Sequence, residues 1–240
     1  MMARDFLTNA KFEKACKDVF HATKEEEILR FEELLSMHKS TFNTQDVEFF
    51  SSPGRIEIVG NHTDHNGGKV LCAAINYDTL ASVSTRTDDV IEVKSQGYPM
   101  LKVDVDHPDF SVSEIGTSVA LIKGVVDYFK RSGKKVGGFS ACMTSNVPKG
   151  SGVSSSSSFE LAIAEILNVL YNGSVLDPVF KAKASQYAEN TFFGKPCGLM
   201  DQSAIALGGV DFIDFASFEE PAIEKAHWHF DDLDIYVIAT

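Results

Sequence analysis

Pro148-Lys149-Gly150-Ser151-Gly152-Val153-Ser154-Ser155-Ser156-Ser157-Ser158 is the stretch on which the reading of this chain turns. Its glycines let backbone approach a ligand closely, and successive N–H groups can then point inward. Serine hydroxyls add donors and a possible ligand for a divalent cation. A helix N-terminus behind such a loop adds partial positive charge. That is the design of a polyphosphate cradle; a flexible Ser-rich linker has the same composition. The flanks favour the cradle. Gly138–Val147 reads as a strand that runs straight into the loop. A helix from about Val153 to Tyr171 leaves it, with Phe159, Ala162, Ile163, Ile166, Leu167 and Leu170 at i, i+3, i+4 spacing. The loop is neither a Walker sequence nor a dinucleotide fingerprint, because the required lysine position and third glycine are missing.

Upstream lies a second polar stretch, Pro53-Gly54-Arg55-Ile56-Glu57-Ile58-Val59-Gly60-Asn61-His62-Thr63-Asp64-His65-Asn66-Gly67-Gly68. It reads as a turn between two strands. Asn, His and Asp side chains there suit sugar hydroxyls, which need paired donors and acceptors. His62, Asp64 and His65 also form a possible zinc set, and a plain polar turn is the third reading. Downstream is Cys197-Gly198-Leu199-Met200-Asp201-Gln202, where Asp201 is either a half-buried general base or a helix cap. Glu189, upstream of Gly194, reads in isolation as a surface carboxylate.

The remaining elements follow from pattern. Residues 11–36 read as one polar, acidic helix, and Val47–Val59 as a strand interrupted at Ser51-Ser52-Pro53-Gly54. Lys69–Val83 and Asp89–Val105 are β-rich, with a turn at Gly97-Tyr98-Pro99. Val119–Phe129 is helical, and Asp177-Pro178 opens a helix to about Phe192. Met200–Leu207 is helical; Val210–Phe215 and Asp234–Ala239 are strands. Strands cluster early and helices late, which predicts an α+β fold.

With 240 residues, 44 % apolar and 23 % charged, the chain has the composition of a globular protein that buries a core without metals or disulfides. Lys and Arg total 22 against 34 Asp and Glu, a net charge of −12. That balance argues against a duplex nucleic-acid binder or an anionic membrane surface, since both need a basic face. A phosphorylated ligand stays possible, because a few local donors suffice. No apolar run approaches the ~18 residues of a membrane span, and MMARDF lacks a signal core. Cys16, Cys72, Cys142 and Cys197 are scattered, so free thiols and a reducing cytoplasm are expected.

Together these motifs resemble the GHMP small-molecule kinases, and within them the galactokinase family. Pro53-Gly54-Arg55 with Gly60-x-His62-Thr63-Asp64-x-Asn66 resembles the galactokinase signature. Pro148-x-Gly150-x-Gly152-x-Ser154-Ser155-Ser156 resembles the family's phosphate loop, and Gly198-x-Met200-Asp201-Gln202 its third motif. The resemblance covers about residue 47 to the end. It implies an α+β fold, the GHMP kinase N-terminal domain (ribosomal protein S5 domain 2-like), with a mixed, mostly antiparallel sheet packed with helices. The implied division is a helical segment at 1–45, the ATP- and sugar-binding domain at 46–222, and at 223–240 the first strand of a further domain.

The implied reaction is phosphoryl transfer from ATP, with Mg²⁺, to the C1 hydroxyl of galactose. Asp201 falls on the family's catalytic base and Arg55 on its partner arginine. Gly150, Ser151, Gly152, Val153, Ser154, Ser155 and Ser156 fall on the ATP phosphate loop; Ser156 and Glu189 fall on the Mg²⁺ ligands. Asn61, His62, Asp64, Gly198 and Asp201 fall on the sugar site. Asn61 stands where galactokinases commonly have Glu, His65 where they have Tyr, and Ser157 where they have Ala. Asn61 keeps a kinase for N-acetylgalactosamine or arabinose as an alternative, and a non-catalytic sugar and ATP sensor is the rival from another class. The chain ends within an apolar strand-like run, so it is expected to be part of a longer, monomeric enzyme. Alone it is expected to be inactive and to self-associate through His227–Thr240.

Overall fold

Lys69–Thr85 forms one 17-residue strand, β2, long enough to be paired along both edges. In the computed structural model, which describes residues 6–227, every other strand is placed by reference to it. On one edge β1 (Glu48–Val59) runs antiparallel from Glu48↔Val83 to Val59↔Leu71. The opposite edge is shared. Thr79–Thr85 pairs with β5 (Phe139–Ser145), and Lys69–Ala73 with β6 (Val210–Asp214). β3 (Val90–Ser95) lies parallel to β5 and antiparallel to β4 (Met100–Asp104), and β7 (Ala222–Lys225) closes the far side against β6. The seven strands thus make a mixed sheet in which β3–β5 is the parallel pair.

Among the described residues, six α-helices of eight or more residues pack against this sheet or one another: α1 (Ala10–Asp18), α2 (Lys24–Phe42), α3 (Ser118–Arg131), α4 (Ser155–Asn172), α5 (Pro178–Tyr187) and α6 (Met200–Leu207). The period of two along the strands assigns the faces. Ala81, Val83, Ala141 and Met143 pack with Phe129 of α3 and Ile163, Ile166 and Leu167 of α4. Their neighbours Leu80 and Cys142 point the other way, to Phe12, Phe31 and Leu34 of α1 and α2. α6 is seated by Met200 and Ala204 against Val70, Cys72 and Ile213.

Two expectations change. Residues 11–36 are two helices, not one. Thr23 starts the second with a capping box: its N–H donates to Glu26 Oε2 at 2.7 Å, and Glu26 N–H donates to Thr23 Oγ1 at 3.3 Å. β1 is continuous through Pro53, because register shifts between Pro53 and Arg55 absorb the irregularity in a bulge. β7 pairs with β6 in this same sheet, across position 222. The strand expected at Asp234–Ala239, and most of His227–Thr240, lie outside the described residues. No described helix is long and apolar enough to cross a membrane. All four cysteines are free, and Cys16, Cys72 and Cys142 are buried.

His38 joins α2 to the sheet. It is fully buried, with Nδ1 3.0 Å from the Ser82 carbonyl and Nε2 2.9 Å from Ser84 Oγ. A carbonyl only accepts, so Nδ1 carries the proton and Nε2 accepts from Ser84. Burial lowers the imidazole from 6.5 to about 4. The unfolded chain therefore takes up a proton first as pH falls. Stability is fully present above about 6.5 and declines down to about 4. We expect a loss of about 2 kcal/mol by pH 5. Urea unfolding of wild type and His38→Gln at pH 7.5 and 5 checks this; equal losses in both proteins refute it.

Candidate active site

The Ser/Gly loop occupies the gap between the end of β5 at Ser145 and the start of α4 at Ser155. Positive φ at Gly150 (72°), Gly152 (75°) and Ser154 (62°) alternates with ordinary φ at Ser151 and Val153. Alternation of this kind turns successive N–H groups toward one concavity, which is how backbone binds anions. Ser154 adopts this geometry without glycine's freedom, and its side chain does not cap α4. Its hydroxyl donates instead to Asp201 Oδ2.

Asp201 sits in the first turn of α6 and is half-buried. Arg55, on β1 and only 4 % exposed, donates from Nε to Asp201 Oδ1 at 2.8 Å and from a terminal nitrogen to the same oxygen. Its other terminal nitrogen donates to the Gly152 carbonyl, and its backbone N–H to Val153 O at 3.1 Å. One buried cation thus ties β1, the loop and α6 together. The carboxylate faces the loop with Ser154 as its second partner.

A second pair lies at the first turn of α4. Ser156 Oγ donates to Glu189 Oε1 at 2.8 Å, and Gln202 Nε2 to Glu189 Oε2 at 3.0 Å. Glu189 is 1 % exposed, so the surface reading was wrong. It rides on a π-helical segment, Ala188–Phe193, that extends α5 and ends at Gly194. The wider turn re-aims side chains, a use to which such segments are often put near functional sites.

Asp64 and Gly198 form the third contact. Asp64 is 4 % exposed, and its Oδ2 accepts from Met200 N–H at 2.9 Å, capping α6 from outside the helix. A Cβ on Gly198 would overlap Asp64 Oδ2 and lie 2.9 Å from Oδ1, so only glycine allows the approach. Asn61 and His62 are both exposed with left-handed backbone, at φ 57° and 53°. His62 N–H donates to Glu57 Oε1 at 2.9 Å; no described contact joins Asn61 to Asp64 or Asp201. Among the described residues, no group of three or more His, Cys, Asp or Glu is arranged to hold a metal, which disposes of the zinc set.

Beside the loop opens a cavity of about 820 Å³, bordered by Pro148, Lys149, Ser155 and Ser156 on one side and by Tyr98 and Pro99 of the β3–β4 turn on the other. Leu101, Leu121 and Phe159 supply apolar wall. The sequence did not show this cavity, because its walls come from distant segments. Glu160 was missed as well. It is fully buried, and neither carboxyl oxygen has a hydrogen-bond partner among the described residues. Burial, with Glu189 adding, pushes its carboxyl well above the usual carboxylate range. Its spacing of four from Ser156 inside an apolar helix stripe was the available signal.

Residues 36–85 match the galactokinase galactose-binding signature, and residues 120–209 match the GHMP kinases N-terminal domain. The chain is 42 % identical over 162 residues to the galactokinase of Clostridium tetani, covering 68 % of this chain and 41 % of that one. It is 36 % identical over 165 residues to the galactokinase of Pyrococcus furiosus, covering 68 % and 45 %. Lactococcus lactis galactokinase, solved complexed with galactose, superposes with a TM-score of 0.74 at 27 % identity, over 82 % of this chain and 52 % of that one. Methanococcus jannaschii mevalonate kinase shares the fold, with a TM-score of 0.61 at 19 % identity over 78 % and 57 %. The chain spans about half the length of these relatives or less.

The fold and the loop therefore define a GHMP kinase N-terminal domain. Within that family the chain belongs to the galactokinases.

Proposed function

We propose that this chain carries the catalytic residues of a kinase that transfers the γ-phosphoryl group of ATP to the C1 hydroxyl of galactose, in the cytoplasm. The observation that carries the reading is the Asp201 carboxylate, held by Arg55 and by Ser154 of the nested loop. Phosphoryl transfer needs positioning and charge stabilisation more than covalent help. Asp201 would accept the hydroxyl proton, and Arg55 would keep that carboxylate aimed. The loop N–H groups would hold the phosphates, with the nucleoside in the cavity beside them. Asp64, with Asn61 and His62 in the turn before it, and Gly198 would line the sugar side.

Ser156 and Glu189 suit Mg²⁺. They present oxygens 2.8 Å apart, and the ion commonly takes one or two carboxylates plus substrate phosphates. Bound there, it would neutralise charge on the transferring phosphates. Gln202 holds the other Glu189 oxygen, so the carboxylate is oriented in advance. We expect Ser156→Ala and Glu189→Gln each to raise the Mg²⁺ concentration for half-maximal rate several-fold. Unchanged half-saturation in both refutes the assignment.

The test of the whole reading is ATP consumption by the protein at its natural full length, across galactose, glucose, N-acetylgalactosamine and arabinose. Galactose-dependent turnover with a 1-phosphate product is expected. Preference for another sugar transfers the reading to that substrate. ATP and sugar binding without turnover would make the protein a sensor.

A further inference from the structure

The cavity beside the loop contains one charged side chain among its lining residues, and the chemistry above makes no use of it. That residue is Lys149. Its Nζ donates to the Tyr98 hydroxyl and lies 4.0 Å from the centre of the Tyr98 ring. Lys149 begins the Ser/Gly loop and Tyr98 sits in the turn between β3 and β4, so this contact joins the two lips of the cavity.

We propose that Lys149 reads the charge of the nucleotide: when a nucleoside triphosphate binds, Lys149 exchanges Tyr98 for a phosphate oxygen, and the freed Tyr98 ring packs on the base. The inference rests on the reading of the cavity as a nucleotide site. Three observations carry it. The chain has a net charge of −12, and apart from Lys149 the loop offers a polyanion only backbone and hydroxyl dipoles. The neighbouring cations are engaged: Arg55 with Asp201 and the Gly152 carbonyl, Lys195 with Glu189 at 3.6 Å. Lys149 itself is exposed, on a flexible stem, with a compact charge and three donors. An exposed contact with an aromatic ring holds such a cation less strongly than a charge-assisted hydrogen bond to phosphate, so the exchange runs toward the nucleotide. Tyr98 is 48 % exposed, and so has ring surface to offer a base.

The test is calorimetric titration of the full-length protein with ATP, AMP and adenosine at two salt concentrations. Lys149→Met keeps most of the stem and removes the charge. It should weaken ATP about tenfold, leave adenosine unchanged and flatten the salt dependence. Tyr98→Phe keeps the ring and removes the hydroxyl that accepts from Lys149, so ATP should bind at least as tightly as in wild type. Tyr98→Ala should weaken ATP more than adenosine, which carries no phosphate to draw Lys149 off the ring. ATP affinity unchanged in Lys149→Met, or ATP and adenosine weakened equally, overturns the role of Lys149 alone. Failure of the wild type to bind any of the three overturns the nucleotide reading itself, and the inference with it.

Discussion

Asp201→Asn in the full-length protein should cut kcat by about 10²–10⁴-fold, the usual contribution of a positioned base, while the KM for the sugar stays within a few-fold. The substitution keeps the size of the side chain and removes its charge and its capacity to accept a proton. The Asn amide oxygen can still accept from Arg55, and its NH2 can donate to a Ser154 hydroxyl turned to accept, so the loop and β1 should stay in register. The hazard is Arg55, only 4 % exposed, which would lose its ionic partner. Breaking a buried pair by removing one charge costs about 3–5 kcal/mol, though Asp201 is itself 28 % exposed and solvent lowers that cost. A thermal melt must therefore accompany the kinetics. A folded variant that keeps more than about a tenth of wild-type kcat would leave Asp201 only an orienting role.

How much of this site could be read from the chain depends on the distance in sequence between interacting groups. The loop and its flanks were legible, because the strand, the glycines and the helix are consecutive and each carries its own local pattern. The alternation of φ through Ser154 was not, since serine rarely adopts that backbone and is held there with its hydroxyl turned to Asp201, 47 residues away. The break between α1 and α2 was legible in principle as Thr23-x-x-Glu26, but the acidic run around it masked the capping box. Pro53 misled for a sound reason: proline ends strands in general, and only the bulge beside it keeps β1 whole. Glu189 looked like a surface carboxylate because the helix period that would have turned it inward changes at the π segment. Tyr98 and Lys149 meet across 51 residues, and no periodicity reports such a pair.

Gly198→Ala should be the most damaging single-methyl change in the site. The added Cβ would overlap the Asp64 carboxyl, and Asp64 is buried and cannot simply swing into solvent. Either Asp64 leaves, abandoning the 2.9 Å bond from Met200 N–H, or the start of α6 moves. Both outcomes reach Asp201, the next residue after Met200, and a displacement of about an ångström there is enough to cost some 10²-fold in rate. Stability should fall by about 1–3 kcal/mol from the lost cap and the stranded carboxylate. The contact can be tested apart from a general intolerance of alanine. In an Asp64→Ala background the clash is gone, so Gly198→Ala should then cost little more, and the double-mutant cycle should show a coupling of 1 kcal/mol or greater in unfolding free energy, an estimate from the range seen for contacting residues. Additive losses would mean that the glycine serves the backbone and not the carboxylate, and the pairing of Asp64 with Gly198 would lose its place in the account of the sugar side.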